Sequence, residues 1–166
     1  MKTRMTVDRH DEIAYPLRKK IMGIKNVRDV IPAGSRRRCD GSKNYTIGDI
    51  DLVVVTEDEN IDRNQEIARK VAGMLEDLTM NGNSKVSGNY KGVQVDVRFC
   101  GQNRVGGMLM HCTGSKYFNI KMRAKAKAKG YTLNEYGLHV GFNVIADTEE
   151  AIFQTLGMEY IEPRNR

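Results

Sequence analysis

Gly48-Asp49-Ile50-Asp51-Leu52-Val53-Val54-Val55-Thr56 is the stretch on which the reading of this 166-residue chain turns. Ile50 to Thr56 is rich in β-branched residues, which suit a pleated, buried backbone, so a strand is predicted there. Side chains alternate along a strand, so Asp49 and Asp51 point one way and Ile50 and Leu52 the other. A second strand is predicted over Gly92 to Phe99, with Val93, Val95, Val97 and Phe99 on one face and Gln94, Asp96 and Arg98 on the other. If the two strands are neighbours, Asp49, Asp51 and Asp96 converge on one polar face. Three close carboxylates repel and raise one another's pKa unless a cation neutralises them. Hard divalent ions suit such a set, and Mg²⁺ typically binds through a few carboxylates plus substrate phosphates. Two such ions about 4 Å apart can activate an attacking hydroxyl and stabilise a leaving phosphate. An Asp-x-Asp pair alone is common at solvated strand edges; the third aspartate on a matching strand is what favours metal.

Just upstream, Val27 to Ala33 reads as a short strand that ends in Gly34-Ser35, followed at once by Arg36, Arg37 and Arg38. Glycine lets backbone approach a ligand closely, and a helix N-terminus after it offers free N–H groups to phosphate. The serine hydroxyl adds a donor, and arginine can clamp phosphate oxygens with two parallel bonds. A phosphate cradle beside a metal pair is what nucleotidyl transfer requires.

Working outward, Val7 to Ile24 is predicted helical on Ile13, Leu17 and Ile21, with Pro16 bending or starting it. Ile61 to Leu78 is predicted as a second helix, lined by Ile67, Val71, Met74, Leu75 and Leu78. Asn81-Gly82-Asn83 breaks the chain, and Lys85 to Tyr90 with Gly92 to Phe99 form a hairpin turning near Lys91-Gly92. Further on, Val105 to Cys112 is a short helix. Ser115 caps another that runs to Lys129 with Phe118, Met122 and Ala126 buried. Asp147 with Glu150 is read as a capping box for a last helix ending at Gly157. This order predicts an α+β fold, a small mixed sheet with a helical appendage.

Lys plus Arg is 27 and Asp plus Glu is 21, a net charge of +6. From Gly101 to Gly130 there are seven basic residues and no acidic one, whereas Glu57 to Met80 holds seven acidic and three basic. That polarity points to one face for a polyanion. No apolar run approaches the roughly 20 residues a membrane helix needs, and the start has no apolar stretch for export. Cys39, Cys100 and Cys112 have no paired spacing, which disfavours a disulfide framework or zinc knuckle and fits a reducing, cytoplasmic setting. His10 and His139 are read as surface residues, and Cys100 and Cys112 as packing residues.

Gly34-Ser35-Arg36-Arg37-Arg38, Thr46 to Asp51 and Gly92 to Arg98 resemble the catalytic core of the family X DNA polymerases, the relatives of DNA polymerase beta. Thr113 to Arg123 resembles that family's nucleotide-binding helix, Lys129 to Leu138 its asparagine-glutamate-tyrosine segment, and Thr148 to Pro163 its C-terminal end. The resemblance implies a nucleotidyltransferase palm over residues 1–104 and a small C-terminal α/β subdomain over 105–166 for nucleotide selection and DNA binding. It further implies that Asp49, Asp51 and Asp96 are catalytic and hold two Mg²⁺ ions, for which Mn²⁺ may substitute. Gly34, Ser35, Arg38, Gly48, His111, Gly114 and Asn119 would meet the nucleotide, with Arg37 the alternative to Arg38 at the phosphates. Arg123, Lys121, Lys125, Arg104 and Tyr136 would serve DNA binding.

The implied activity is DNA-directed DNA polymerisation from dNTPs onto a primer 3′-hydroxyl, as short gap filling in repair. The partners would be primer-template or gapped DNA and dNTPs, and the chain is expected to act as a monomer, with no membrane association. The expected location is cytoplasmic, at the nucleoid in a bacterium or in the host cell for a virus. A nucleotidyltransferase acting on an RNA end, a protein or a small molecule is the alternative. Several departures stand out: Cys39 to Tyr45 forms a lengthened loop, His111-Cys112 replaces a tyrosine-phenylalanine pair beside the sugar, and Gln94 replaces an arginine. A chain of this size has no room for the family's amino-terminal lyase and helix-hairpin-helix lobes, so distributive synthesis without lyase activity is expected.

Overall fold

In the computed structural model, which describes residues 3–57 and 61–166, Thr6 caps helix α1 (Val7–Met22) by accepting a hydrogen bond from Arg9 N. The helix continues through Pro16, and His10, Ile13, Ala14, Leu17 and Ile21 are buried. It follows a two-residue strand β1 (Met5–Thr6) and leads to β2 (Val27–Pro32). A one-turn helix α2 (Gly34–Arg37) then precedes β3 (Thr46–Ile47) and β4 (Ile50–Thr56).

Helix α3 (Ile61–Ala72) is shorter than its apolar period predicts. Gly73 ends it, and residues from Glu76 form strand β5 (Glu76–Asn81), which pairs with β6 (Lys85–Tyr90). Met74 and Leu75 still reach the core from the turn, but Leu78 is exposed. Asp58 and Glu59, part of the acidic run, lie outside the described residues. Strand β7 (Val93–Gly101) completes a five-stranded mixed sheet in the order β2-β4-β7-β6-β5. Only β4 and β7 run parallel; the other neighbours are antiparallel.

The two faces of the sheet differ. Ile50, Leu52 and Val54 with Val95, Val97 and Phe99 pack under α1 and α3. On the other face Val53, Val55 and Cys100 are covered by Met108 of helix α4 (Val105–Thr113). Helix α5 (Lys116–Ala128) follows, capped by Ser115 Oγ, which accepts from Phe118 N, and it buries Phe118, Met122 and Ala126 as predicted. No helix among the described residues is long and apolar enough to cross a membrane.

The C-terminal part is not purely helical. Three short strands, β8 (Thr132–Asn134), β9 (Gly137–Val140) and β10 (Asn143–Ala146), form an antiparallel meander. Its first turn is set by Asn134 Oδ1, which accepts from Tyr136 N at 2.9 Å. Helix α6 (Glu149–Thr155) is capped by Thr148, not Asp147, through a 3.1 Å bond from Ala151 N. Helix α4 belongs to both cores, since Met110 packs with Phe118, Leu138 and Phe153 while Met108 packs against the large sheet. That contact requires glycine at 106 and 107. A methyl at Gly107 would strike Gly137 N and lie 2.9 Å from Tyr136 C, all of it backbone that has little room to yield. Gly107→Ala is therefore expected to cost about 1–3 kcal/mol, read as a lower urea midpoint at an unchanged slope.

Candidate active site

The parallel register of β4 and β7 places Asp51 directly opposite Asp96, on the face away from α1 and α3. Asp49 lies in the bend just before β4. The register thus pairs Asp51 with Asp96, while Asp49 stands outside the ladder and is near enough for its charge to act on Asp51. Burial pushes the Asp51 carboxyl up to about 7, and repulsion from Asp49 and Asp96 adds to it, against partial relief from Arg38 and Lys85. Asp96 is held from the other side: Ser87 Oγ donates to its Oδ1, and Lys85 Nζ lies 3.2 Å from the same oxygen. As they stand, no three Asp, Glu, His or Cys side chains among the described residues close into a ligand cage.

The donor set nevertheless fits a hard divalent cation. It is all oxygen, it concentrates negative charge, and it disfavours the ionised form of Asp51, a penalty that positive charge would remove. Because the folded pKa of Asp51 exceeds its unfolded value of 3.8, its stabilising contribution is complete below about pH 4 and is lost as pH rises through about 7. In EDTA, Asp51→Asn should therefore gain stability over the parent as pH rises from 5 to 8, by up to a few kcal/mol. Denaturation midpoints across that range measure it, and parallel curves would refute the coupling.

Gly34 sits against this cluster at φ +56, and any Cβ there would collide with the Asp51 carboxylate. The Gly-Ser turn is thus packed onto the acidic face, and Ser35 O accepts from Tyr45 OH at 2.9 Å. A cleft of about 640 Å³ opens between them. Gly34, Ser35, Arg38, Gly48, Asp49 and Asp51 line it from the sheet side, while His111, Gly114, Asn119 and Arg123 line it from α4 and α5. Asp96 is not among the lining residues.

The two candidate arginines point to different places. Arg38 faces the cleft and donates to Thr113 O, whereas Arg37 turns away to Thr113 Oγ1 at 2.8 Å and to both Glu149 oxygens at 2.9 and 2.7 Å. Arg4 was not picked out from sequence, yet it also lines the cleft. Its Nε donates to Thr46 Oγ1 at 2.7 Å, and pairing of β1 with β3 brings it there. Its position far from every motif left no local signal.

Burial, reinforced by Arg98, lowers the His111 pKa and so favours the uncharged ring. Its carbonyl accepts from Asn119 Nδ2 at 2.8 Å. Burial pushes the Cys112 thiol up to about 12, in keeping with a packing residue. Lys121 and Lys125 are exposed on the same helix as Arg123, and Lys121 Nζ lies over the Tyr117 ring rather than in the cleft. Arg104 stacks on Tyr136 at 5.0 Å beside a separate cleft that includes Cys100. His10, read as a surface residue, is only 2% exposed.

A mixed sheet carrying paired carboxylates beside a Gly-Ser turn is the arrangement that the resemblance to family X implies for a palm. Residues 108–166 match the DNA polymerase beta thumb family. Polymerase beta of Leishmania infantum, solved as a ternary P/T complex, superimposes with a TM-score of 0.78 at 26% identity, covering 99% of this chain and 77% of that one. Repair DNA polymerase X of African swine fever virus is 23% identical over 146 residues, 84% of this chain and 82% of its own length. DNA polymerase IV of Saccharomyces cerevisiae is 35% identical over 92 residues, 54% of this chain but only 15% of its own length. Across these comparisons the chain is similar to DNA polymerases of family X.

Proposed function

We propose that the chain is a DNA-directed DNA polymerase that transfers a deoxynucleoside monophosphate from a dNTP to a primer 3′-hydroxyl, filling short gaps in DNA repair. The observation that carries this reading is the Asp51–Asp96 register pair with the Gly34-Ser35 turn packed against it. The names of the relatives above support it, as do a cleft lined by arginines and a helix with a strongly basic flank.

Two Mg²⁺ ions held by Asp49, Asp51 and Asp96 would supply charge neutralisation at the reacting phosphate and lower the pKa of the attacking hydroxyl. The residues of this chain do the rest. Ser35 and Arg38 bind the departing pyrophosphate, with Arg4 within reach of the same cleft. Asp96, steadied by Lys85 and Ser87, orients the primer hydroxyl. Asn119 and Arg123 face the base pair being formed, and His111 stands beside the sugar. Lys121 and Lys125 contact DNA phosphates outside the cleft, so binding falls as salt rises.

Purified protein with a gapped primer-template, each dNTP singly and Mg²⁺ or Mn²⁺ tests the reading. Incorporation should follow the template base, and Asp96→Asn should lose at least about a hundred-fold in kcat. Equal activity in the two proteins would remove the mechanism, and incorporation indifferent to the template would favour an untemplated nucleotidyltransferase. His111→Ala should change the ratio of deoxy- to ribonucleotide incorporation while leaving the melting temperature nearly unchanged. An unaltered ratio would take His111 out of sugar selection.

A further inference from the structure

Arg36, Arg37 and Arg38 leave α2 in three directions. Arg37 runs to Glu149 and Arg38 to the cleft, while Arg36 turns back to α1. There its Nε and Nη2 donate to Asp11 Oδ1 and Oδ2 at 2.8 and 2.9 Å. His10 places Nδ1 at 2.9 Å from the same Oδ1, and since a carboxylate only accepts, Nδ1 carries the hydrogen. His10 Nε2 is buried without a hydrogen-bond partner, so the bond to Asp11 is the ring's one satisfied polar contact. The hydrogen bond from Arg36 holds the Asp11 carboxyl below its ordinary value.

We propose that Asp11, oriented by His10, is a positioning residue for the phosphate-binding turn: through Arg36 it holds Gly34-Ser35 in place for the triphosphate of the incoming nucleotide. The inference rests on the polymerase reading and adds to it a bridge outside the cleft. Helix α2 is four residues long, too short to keep its shape without outside support. Its first residue has no clearance from Asp51, so a small rotation of α2 moves Ser35 and the carboxylate relative to one another. A two-pronged guanidinium–carboxylate pair fixes orientation as well as distance. The pair is partly solvated, with side chains 33% and 46% exposed, so it adds little to global stability. Its effect lies in the geometry of the turn.

The test uses the full chain, with single-nucleotide incorporation and triphosphate titration as readouts. Asp11→Asn and Arg36→Met should each raise the nucleotide KM about ten-fold, with primer-template affinity and melting temperature near those of the parent. The double variant should be no worse than either single one, because both remove one bridge. Arg36→Lys, which keeps the charge and loses the fork, should fall between. His10→Phe should move KM in the same direction by less. An unchanged KM in the single variants overturns the inference, as does a double variant near a hundred-fold, the product of independent effects. A parent chain that binds triphosphate but extends no primer overturns the polymerase reading alone, and the same variants are then read in triphosphate affinity. A parent that binds no triphosphate overturns both.

Discussion

Parallel pairing of two strands carries the whole arrangement. Once β4 lies beside β7 in register, Asp51 and Asp96 are neighbours on one face and cannot move apart without breaking the ladder. The same register puts Val53, Val55 and Cys100 farther along that face, where α4 covers them. One surface of the sheet therefore serves as core at one end and as chemistry at the other. Ionising Asp51 in that setting is unfavourable, and the apolar packing on both faces supplies the stability that lets the fold carry it.

Much of this was legible because burial leaves a period in sequence. Ile50 to Thr56 and the alternating valines of β7 could be read directly, since one face of each is core. The end of α3 could not, because Met74 and Leu75 keep facing the core after the backbone leaves the helix at Gly73, so the apolar spacing outlasts the helix itself. The strands of the C-terminal meander are only 3 or 4 residues long, too short for alternation to register. His10 sits in the charged run Asp8 to Glu12, and nothing local reveals that its helix turns that position inward. Arg4 reaches the cleft through a two-residue strand pairing across 42 positions of sequence, a non-local contact without a pattern.

The site is built from two halves held together by one shared helix. Helix α4 contributes Met108 to the sheet core and Met110 to the C-terminal core, while His111 at its end faces the cleft. Backbone-to-backbone contact at Gly106 and Gly107 leaves no compressible side chain in that joint. The sequence of arginines after Ser35 extends the same logic. Three adjacent residues of one type are assigned to three different neighbours, and only the fold distinguishes their duties.

Glu149 is the second seam between the halves. It is 5% exposed and takes Arg37 from the sheet side and Arg166 from the C-terminal core. Burial pushes its carboxyl up, but the two arginines more than offset that and keep it charged. Arg166 is itself wedged against Phe118, Phe153 and Tyr160. Removing Arg37 alone would leave the buried Glu149 with one cation in place of two, a loss that burial makes costly. Besides the packing of α4, one carboxylate thus rivets the sheet side to the C-terminal core, and its two oxygens are shared between cations from both.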